Sequence, residues 1–599
     1  MVLLCLVSGC GKSGSPAPAQ TAAQSPVIAR IHWLGKDGVA ADTNSAGLMR
    51  FWRQIETARL EAQTLDKIAA FLARPQDTLS STSSNTAPSS IQYPTSSIRP
   101  LLDDLVLSES YLELRQFSAN QPPESVLAIR LNDARAALWQ SNSPILAEAI
   151  TNLLSDHGPQ TTTAVSRFTF HVSRLSPWSL LTLSSSSSSP LLSEIQSRIQ
   201  SNRSPLPTDW LSPHPSHSQN EPGGLVQTNF WLEGDLDLAK MTTLHAPSSD
   251  PRTVFPILPL VTLRIFGDGD SVRTRGEFTF PQSLGMALPP WIVPTNLITR
   301  ALVGFTSVRG LGPLLASFQH SSISASQPSP SNPSNQPSAP DIFHLLSSSV
   351  PQAFFWDDGR LPLYNYFALA SDQASNLFSV LAPALIQTVN PLLHSSYGSF
   401  AFETNNPNKL VWNGVPHFTP FLQVVTNSAN PTIQPSNSPA STQFLYGGFG
   451  PDFFVIRTNR SIPMEFLDHL ALAPDLVYYD WERTGPRLSH WRYLDDVYRI
   501  IFDRQRLRVS DETLSYNWIL NNLTNLTYAA TEIKLADTNR LSFARKSSVG
   551  LTSIEMDLLA NWLESPQFPA GLCSIMATNP APLPATLQRL LDRRKEKAP

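Results

Sequence analysis

The densest group of chemically capable side chains lies in YYDWE, where Asp480 and Glu482 stand two residues apart, flanked by Tyr478, Tyr479 and Trp481 and followed by Arg483 and Arg487. On an extended strand that spacing sends both carboxylates out of one face, with Cα atoms roughly 6.5–7 Å apart. Glycoside hydrolysis needs such a pair: one carboxyl protonates the leaving oxygen, the other acts as nucleophile or base, and aromatic rings stack on the sugar. Glu233, Asp235 and Asp357 end two other strand-like runs in the same way, so strand ends could gather carboxylates in one cleft. The plainer use of these acids is to mark where strands leave the core and to cap the helix that begins near Thr484. That use carries more weight, because acid pairs at strand ends are common and nothing selects this one.

Other reactive spacings fail on inspection. GDGDS (267–271) begins like a calcium loop, but the next ligand position is Val272 and the bidentate acid position is Thr279. GLG (310–312) follows a strand, yet Leu315 stands where a dinucleotide fingerprint needs its third glycine and Pro313 interrupts the turn. Gly11, Lys12 and Ser13 end like a phosphate loop, but Leu6 occupies its first glycine position and Pro16 and Pro18 replace the helix. His214 and His217 sit in a Pro-rich stretch with no helix to align them on zinc. No cofactor and no metal are expected.

The elements that must position the acids are separated by Pro, Ser and Asn tracts after Leu79, from Pro205, from Ser321 to Pro340 and from Asn427, with a serine run at 184–189. Such mixtures bury too little apolar surface to offset their ordering entropy and read as disordered loop insertions. Between them a strand-like run ending in charge and followed by a helical run recurs at 125–139, 228–241, 301–318, 353–370 and 476–494. Tight turns at Gly267–Asp270 and Asp537–Asn539 join neighbouring strands into hairpins. Hairpins make antiparallel pairs, so the expected fold is α+β with antiparallel sheets and repeated strand-to-helix units. One long N-terminal amphipathic helix is predicted from Leu48, Phe51, Ile55, Ala58, Ala62, Leu65, Ala69 and Leu72, capped by Asn44 or Ser45 and ended by Pro75. A second begins near Thr484, and a third follows Ser553 with Ile554, Leu558, Leu559, Trp562 and Leu563 inward.

Charge argues against nucleic acid: the net value is -4, and the one dense basic cluster is Arg593, Arg594, Lys595 and Lys597. At the front, Val7, Ser8, Gly9 and Cys10 resemble the lipobox of bacterial lipoproteins, after an apolar run from Val2 and before the polar, Pro-containing SGSPAPAQTAAQSP. The resemblance implies a lipid on Cys10, whose three acyl chains would hold the protein permanently to a membrane without spanning it. Beyond that motif, IHWLGKDGVAADTNSAGLMRFW, VYYDWERTGPR and LSFARKSSVGLTSIEMDLLANWLESPQFP make the body resemble a set of uncharacterised bacterial lipoproteins. That resemblance brings no activity, and it implies that front and back belong to one type of folded unit.

The expected organisation is a signal-peptide remnant (1–9), a flexible tether (10–26), two α+β regions (27–290 and 291–580) and a basic tail (581–599). The expected function is a lipid-anchored cell-envelope protein with a binding, assembly or structural role. Its partners are the membrane, through the anchor, and envelope proteins. Gly11 after the cysteine lacks the Asp of inner-membrane retention, so the outer membrane, facing the periplasm, is preferred. The competing readings are an envelope hydrolase working through Asp480 and Glu482, and a cytoplasmic protein whose N-terminus misleads.

Overall fold

The computed structural model describes residues 27–73, 95–117, 123–155, 169–184, 189–207, 210, 230–245, 258–298, 300–310, 312–313, 346, 348–358, 364–392, 398–414, 420–428, 441–449, 464–502, 513–565 and 568–569. Cys10, the tether, the basic tail, His214, His217 and the Pro/Ser/Asn tracts fall wholly or mainly outside these residues.

The strands are β1 (Val27–Trp33), β2 (Ser110–Arg115), β3 (Glu124–Arg130), β4 (Thr169–Leu175), β5 (Trp178–Ser184), β6 (Leu232–Asp237), β7 (Leu260–Asp268), β8 (Ser271–Thr279) and β9 (Leu302–Arg309). They continue with β10 (Gln352–Asp358), β11 (Asn365–Ala370), β12 (Gly398–Glu403), β13 (Asn406–Gly414), β14 (Pro420–Ser428), β15 (Ser441–Phe449), β16 (Leu476–Glu482), β17 (Ala529–Asp537) and β18 (Arg540–Ser547). The helices are α1 (Lys36–Ala41), α2 (Ala46–Trp52), α3 (Ile55–Leu72), α4 (Thr95–Leu107), α5 (Asp133–Ser155) and α6 (Pro190–Asn202). After them come α7 (Leu238–His245), α8 (Ala374–Val389), α9 (Met464–Leu472), α10 (Thr484–Phe502), α11 (Leu514–Asn522) and α12 (Ser553–Glu564).

All the strands join one sheet, and every pairing is antiparallel, in the order β4-β5-β3-β2-β1-β6-β7-β8-β18-β17-β16-β9-β10-β11-β15-β14-β13-β12. The α+β class with antiparallel pairing is therefore established. The order β4-β5-β3-β2-β1-β6-β7-β8 recurs as β14-β15-β11-β10-β9-β16-β17-β18, with the hairpin β12–β13 added at the far end. Equivalent strands β8 and β18 meet in the middle, from Val272↔Ser547 to Thr279↔Arg540, as equivalent edges meet about a two-fold axis. At the outer edge the Asn390 side chain both accepts from the Phe400 N–H at 2.8 Å and donates to the Phe400 carbonyl at 3.1 Å, occupying groups a further strand would use.

Strand alternation then assigns the helices to faces. Leu127 and Leu181 lie under α5, and Phe367 and Leu445 lie under α8. The cross-strand register puts Leu127 and Phe367 on one face, which also receives α10 and α12. The opposite face carries α6 over Tyr111, Val126 and Leu180, and α9 over Phe305, Phe354 and Tyr479. Above the first face α3 and α4 of the first repeat pack on α10, α11 and α12 of the second, through Leu60, Ile68, Leu488, Trp518, Met556 and Trp562.

Three expectations need correction. The single long N-terminal helix is two, α2 and α3, because Gln54 is extended (φ -62, ψ 145). That residue resets the helical phase, so Ile55 is 70% exposed and the buried stripe of α3 is Leu60, Thr64, Leu65, Ile68 and Ala69. In α12 the inward residues are Met556, Ala560, Trp562 and Leu563, and Ile554 faces out because Thr552 and Glu555 form the capping box that sets the phase. Of the recurring segments, those ending in α5, α7 and α10 pass straight from strand to helix. The run 353–370 instead holds two strands, β10 and β11, paired as a hairpin.

The layer shared by the repeats makes a direct prediction. Trp518 is buried and donates from Nε1 to Thr57 Oγ1 at 3.1 Å. Trp518→Ala should lower stability to chemical denaturation by about 3–5 kcal/mol, the cost of emptying a packed site of this size.

Candidate functional site: a buried ionic cluster beneath α10 and α12

Strand β16 carries Asp480 and Glu482 on the face that receives α10, so both carboxylates leave the sheet together, as their spacing dictates. Between them lies a guanidinium. Arg487, in the first turns of α10, places Nη1 at 3.0 Å from Asp480 Oδ1 and 3.4 Å from Glu482 Oε2. Its Nε is 3.9 Å from Asp357 Oδ1 on β10, and its Nη2 donates to Thr306 Oγ1 on β9 at 3.3 Å. Thr306 in turn donates to Asp480 Oδ1 at 2.5 Å, and His490 Nδ1 lies 3.1 Å from Asp357 Oδ2. Glu482 accepts from the backbone N–H and the hydroxyl of Ser553, both at 2.6 Å, so its negative charge sits at the N-terminus of α12.

Room for this cluster comes from Gly304, where a Cβ would come within 2.3 Å of Asp357 Oδ1 and 2.8 Å of the guanidinium carbon of Arg487. On the same face the equivalent strands of the first repeat, β1, β2 and β6, carry Ile31, Leu112, Leu114 and Leu236. Among the described residues this ionic group is thus a feature of the second repeat.

Burial is nearly complete: Asp357 is 2%, Asp480 6% and Glu482 1% exposed. Burial raises the Glu482 carboxyl above its ordinary value, and Asp480 adds to the rise against the opposing pull of Arg487 and Ser553. Burial works against the charge of Arg487, but Asp480, Asp357 and Glu482 outweigh it and hold the guanidinium firmly protonated. A second buried ionic group lies on the opposite face in the first repeat. There Glu113 accepts from Tyr111 Oη and Arg115 Nε at 2.6 Å each, from Arg198 Nη1 at 2.9 Å and from Arg30 Nε at 3.2 Å. Burial would raise Glu113, yet the Tyr111 hydroxyl and the three arginines bring it below the usual carboxylate range.

Of the acids singled out by sequence, Asp480, Glu482 and Asp357 come together. Glu233 and Asp235 do not: they lie on β6, five strands from β16 or roughly 24 Å away, on the opposite face. There Glu233 pairs with Arg264 and Asp235 accepts from Trp210 Nε1 at 2.7 Å. The helix capped by Glu482 is α12, not the expected α10, a pairing across 71 residues that no local spacing foretells. Gly304, Thr306, His490 and Ser553 went unnoticed in the sequence because each looks ordinary until the strands are ordered. Among the described residues no group of His, Cys, Asp and Glu side chains is placed to hold a metal ion, and no helix is long and apolar enough to cross a membrane.

No family model, curated protein or solved structure matches the chain.

The two buried glutamates shift in opposite directions, so their pH signatures must differ in sign. A lowered carboxyl contributes stability that is present above its unfolded value near 4.5 and lost as pH falls through the folded value. A raised one contributes stability below 4.5 that is lost as pH rises through the folded value. In thermal melts from acid to neutral pH, the advantage of wild type over Glu113→Gln should grow as pH rises toward 4.5 and then level. The advantage over Glu482→Gln should shrink as pH rises above 4.5.

Proposed function

We propose that the chain is a lipid-tethered, non-catalytic protein of a bacterial cell envelope, anchored through Cys10, with a binding, assembly or structural role. The observation that carries the non-catalytic part is the guanidinium of Arg487, which fills the space between Asp480 and Glu482. A glycosidic oxygen undergoing protonation would have to lie there, and general acid catalysis requires the acid to reach the leaving atom. The carboxylates instead tie β9, β10 and β16 to α10 and α12, a use in which removing one partner leaves an uncompensated buried charge. The anchor rests on Val7–Cys10 and the polar, Pro-containing stretch after it. The resemblance to uncharacterised bacterial lipoproteins supports the same reading, and Gly11 after the cysteine, in place of a retention Asp, favours the outer membrane.

Two measurements test this proposal. Metabolic labelling with a fatty-acid analogue should mark wild type and leave Cys10→Ala unmarked and soluble; equal labelling of both, or of neither, removes the anchor. Asp480→Asn with Glu482→Gln should complement a deletion phenotype wherever the double variant remains folded by circular dichroism. Loss of function in a normally folded double variant would instead overturn the non-catalytic reading in favour of the envelope hydrolase.

A further inference from the structure

The sheet ends at β4 on one side and at β12 on the other, and the two edges are finished differently. At β12 the Asn390 side chain occupies the N–H and the carbonyl of Phe400. Strand β4 pairs with β5 from Thr169↔Ser184 to Leu175↔Trp178 in unbroken register, and among the described residues no backbone hydrogen bond reaches its other side. Its residues, TFHVSRL, include neither proline nor lysine, the usual means of blunting an edge.

Hairpin geometry says which groups are open. Only two residues separate Leu175 from Trp178, so that pair exchanges its own backbone bonds, and positions 173, 171 and 169 follow by alternation. Phe170, Val172 and Arg174 therefore direct their N–H and carbonyl groups outward. Their side chains lie on the face of α5: Phe170 and Val172 pack into its core, and Arg174 donates to Asp133 and to the Leu131 carbonyl. On the opposite face His171 is exposed, while Ser173 Oγ is buried without a hydrogen-bond partner among the described residues.

The second repeat shows what such an edge accepts. There β14, the equivalent of β4, is covered by the antiparallel β13 from Lys409↔Gln423 to Val411↔Phe421, and Leu410 of that added strand enters the core beneath α8. Among the described residues the first repeat has no counterpart of the β12–β13 hairpin, so its edge stands one strand short.

We propose that β4 is completed by β4 of a second copy of the chain, in a closed two-fold dimer. An antiparallel strand pairs with itself about a central residue, and Val172 is the middle of the three outward positions. Centred there, Val172 meets Val172 and Phe170 meets Arg174, so no like charges oppose and the apolar face under α5 continues from one copy into the other. The same register sets His171 of each copy opposite the orphaned Ser173 hydroxyl of the other. The chain already joins equivalent strands in this way at β8 and β18. With Asn390 occupying the far edge, pairing stops at two copies instead of growing into a filament. The inference rests on strand register and is independent of the lipid anchor.

The test uses the full chain carrying Cys5→Ala, Cys10→Ala and Cys573→Ala, so that neither acyl chains nor native thiols contribute. Sedimentation equilibrium over a series of concentrations should show this parent passing from monomer to dimer and no further. Val172→Pro removes an outward N–H and spares the β4–β5 bonds, and the two-fold doubles its effect. It should weaken the dimer about tenfold or more while keeping the far-UV spectrum of the parent. Val172→Cys in the parent should oxidise to a disulfide-linked dimer, since opposed Cα atoms about 5.5 Å apart lie within disulfide range. Phe402→Cys, at a position 46% exposed on β12, should not. A parent that stays monomeric or grows beyond a dimer would overturn the proposal. So would a folded Val172→Pro variant that dimerises as tightly as the parent, failure of Val172→Cys to cross-link, or equal cross-linking through Phe402→Cys. Should Val172→Pro unfold, the two cysteine variants decide the matter between them.

Discussion

The hydrogen-bonded meeting of β8 with β18 is the constraint on which the remaining structure rests. Each strand closes a hairpin, β7–β8 in one repeat and β17–β18 in the other, and each would otherwise present a row of unpaired backbone donors and acceptors. Pairing equivalent strands satisfies both rows and makes one sheet from two. It also fixes which helices meet: once the sheet is continuous, α3 and α4 stand next to α11 and α12 and can share a core.

The repeats keep a common strand order and use it differently. The first buries its ionic group around Glu113 on the face of α6, with arginines in excess, so the carboxyl is held ionised. The second buries its group around Arg487 on the other face, with carboxylates in excess, and one of them, Glu482, resists ionisation. Continuum reasoning makes such clusters costly to create and more costly to break, so their usefulness lies in fixing a single arrangement. For Arg487 that arrangement joins three strands and the beginnings of two helices through one planar group.

The sequence made some of this legible for clear physical reasons. The hairpin turns at Gly269 and Asp270 and around Thr538 carry local chemistry and were readable, as was the shared face of Asp480 and Glu482. The α+β class followed from them. What was not legible required knowing which strands are neighbours. Asp357 joins Asp480 only because β9 lies between β10 and β16, and Glu482 caps a helix distant in sequence. The break at Gln54 escaped notice because Arg53 and Gln54 carry no proline or glycine, and tertiary packing of Phe51 and Leu60 on α11 and α12 overrides their helical propensity.

That packing also has a dimension in time. Thr57 of α3 is bonded to Trp518, 461 positions later, and Lys67 donates to the Leu563 carbonyl, 496 positions later. At a synthesis rate of about 5–20 residues per second, α3 leaves the ribosome roughly 25–90 s before its partner exists. Throughout that interval the stripe of Leu60, Leu65 and Ile68 lacks the cover that Trp518, Met556 and Trp562 supply, and β8 has no neighbour on one side. The first repeat therefore remains an unfinished body while the second is made, its apolar stripe and its open strand edge waiting on residues synthesised last.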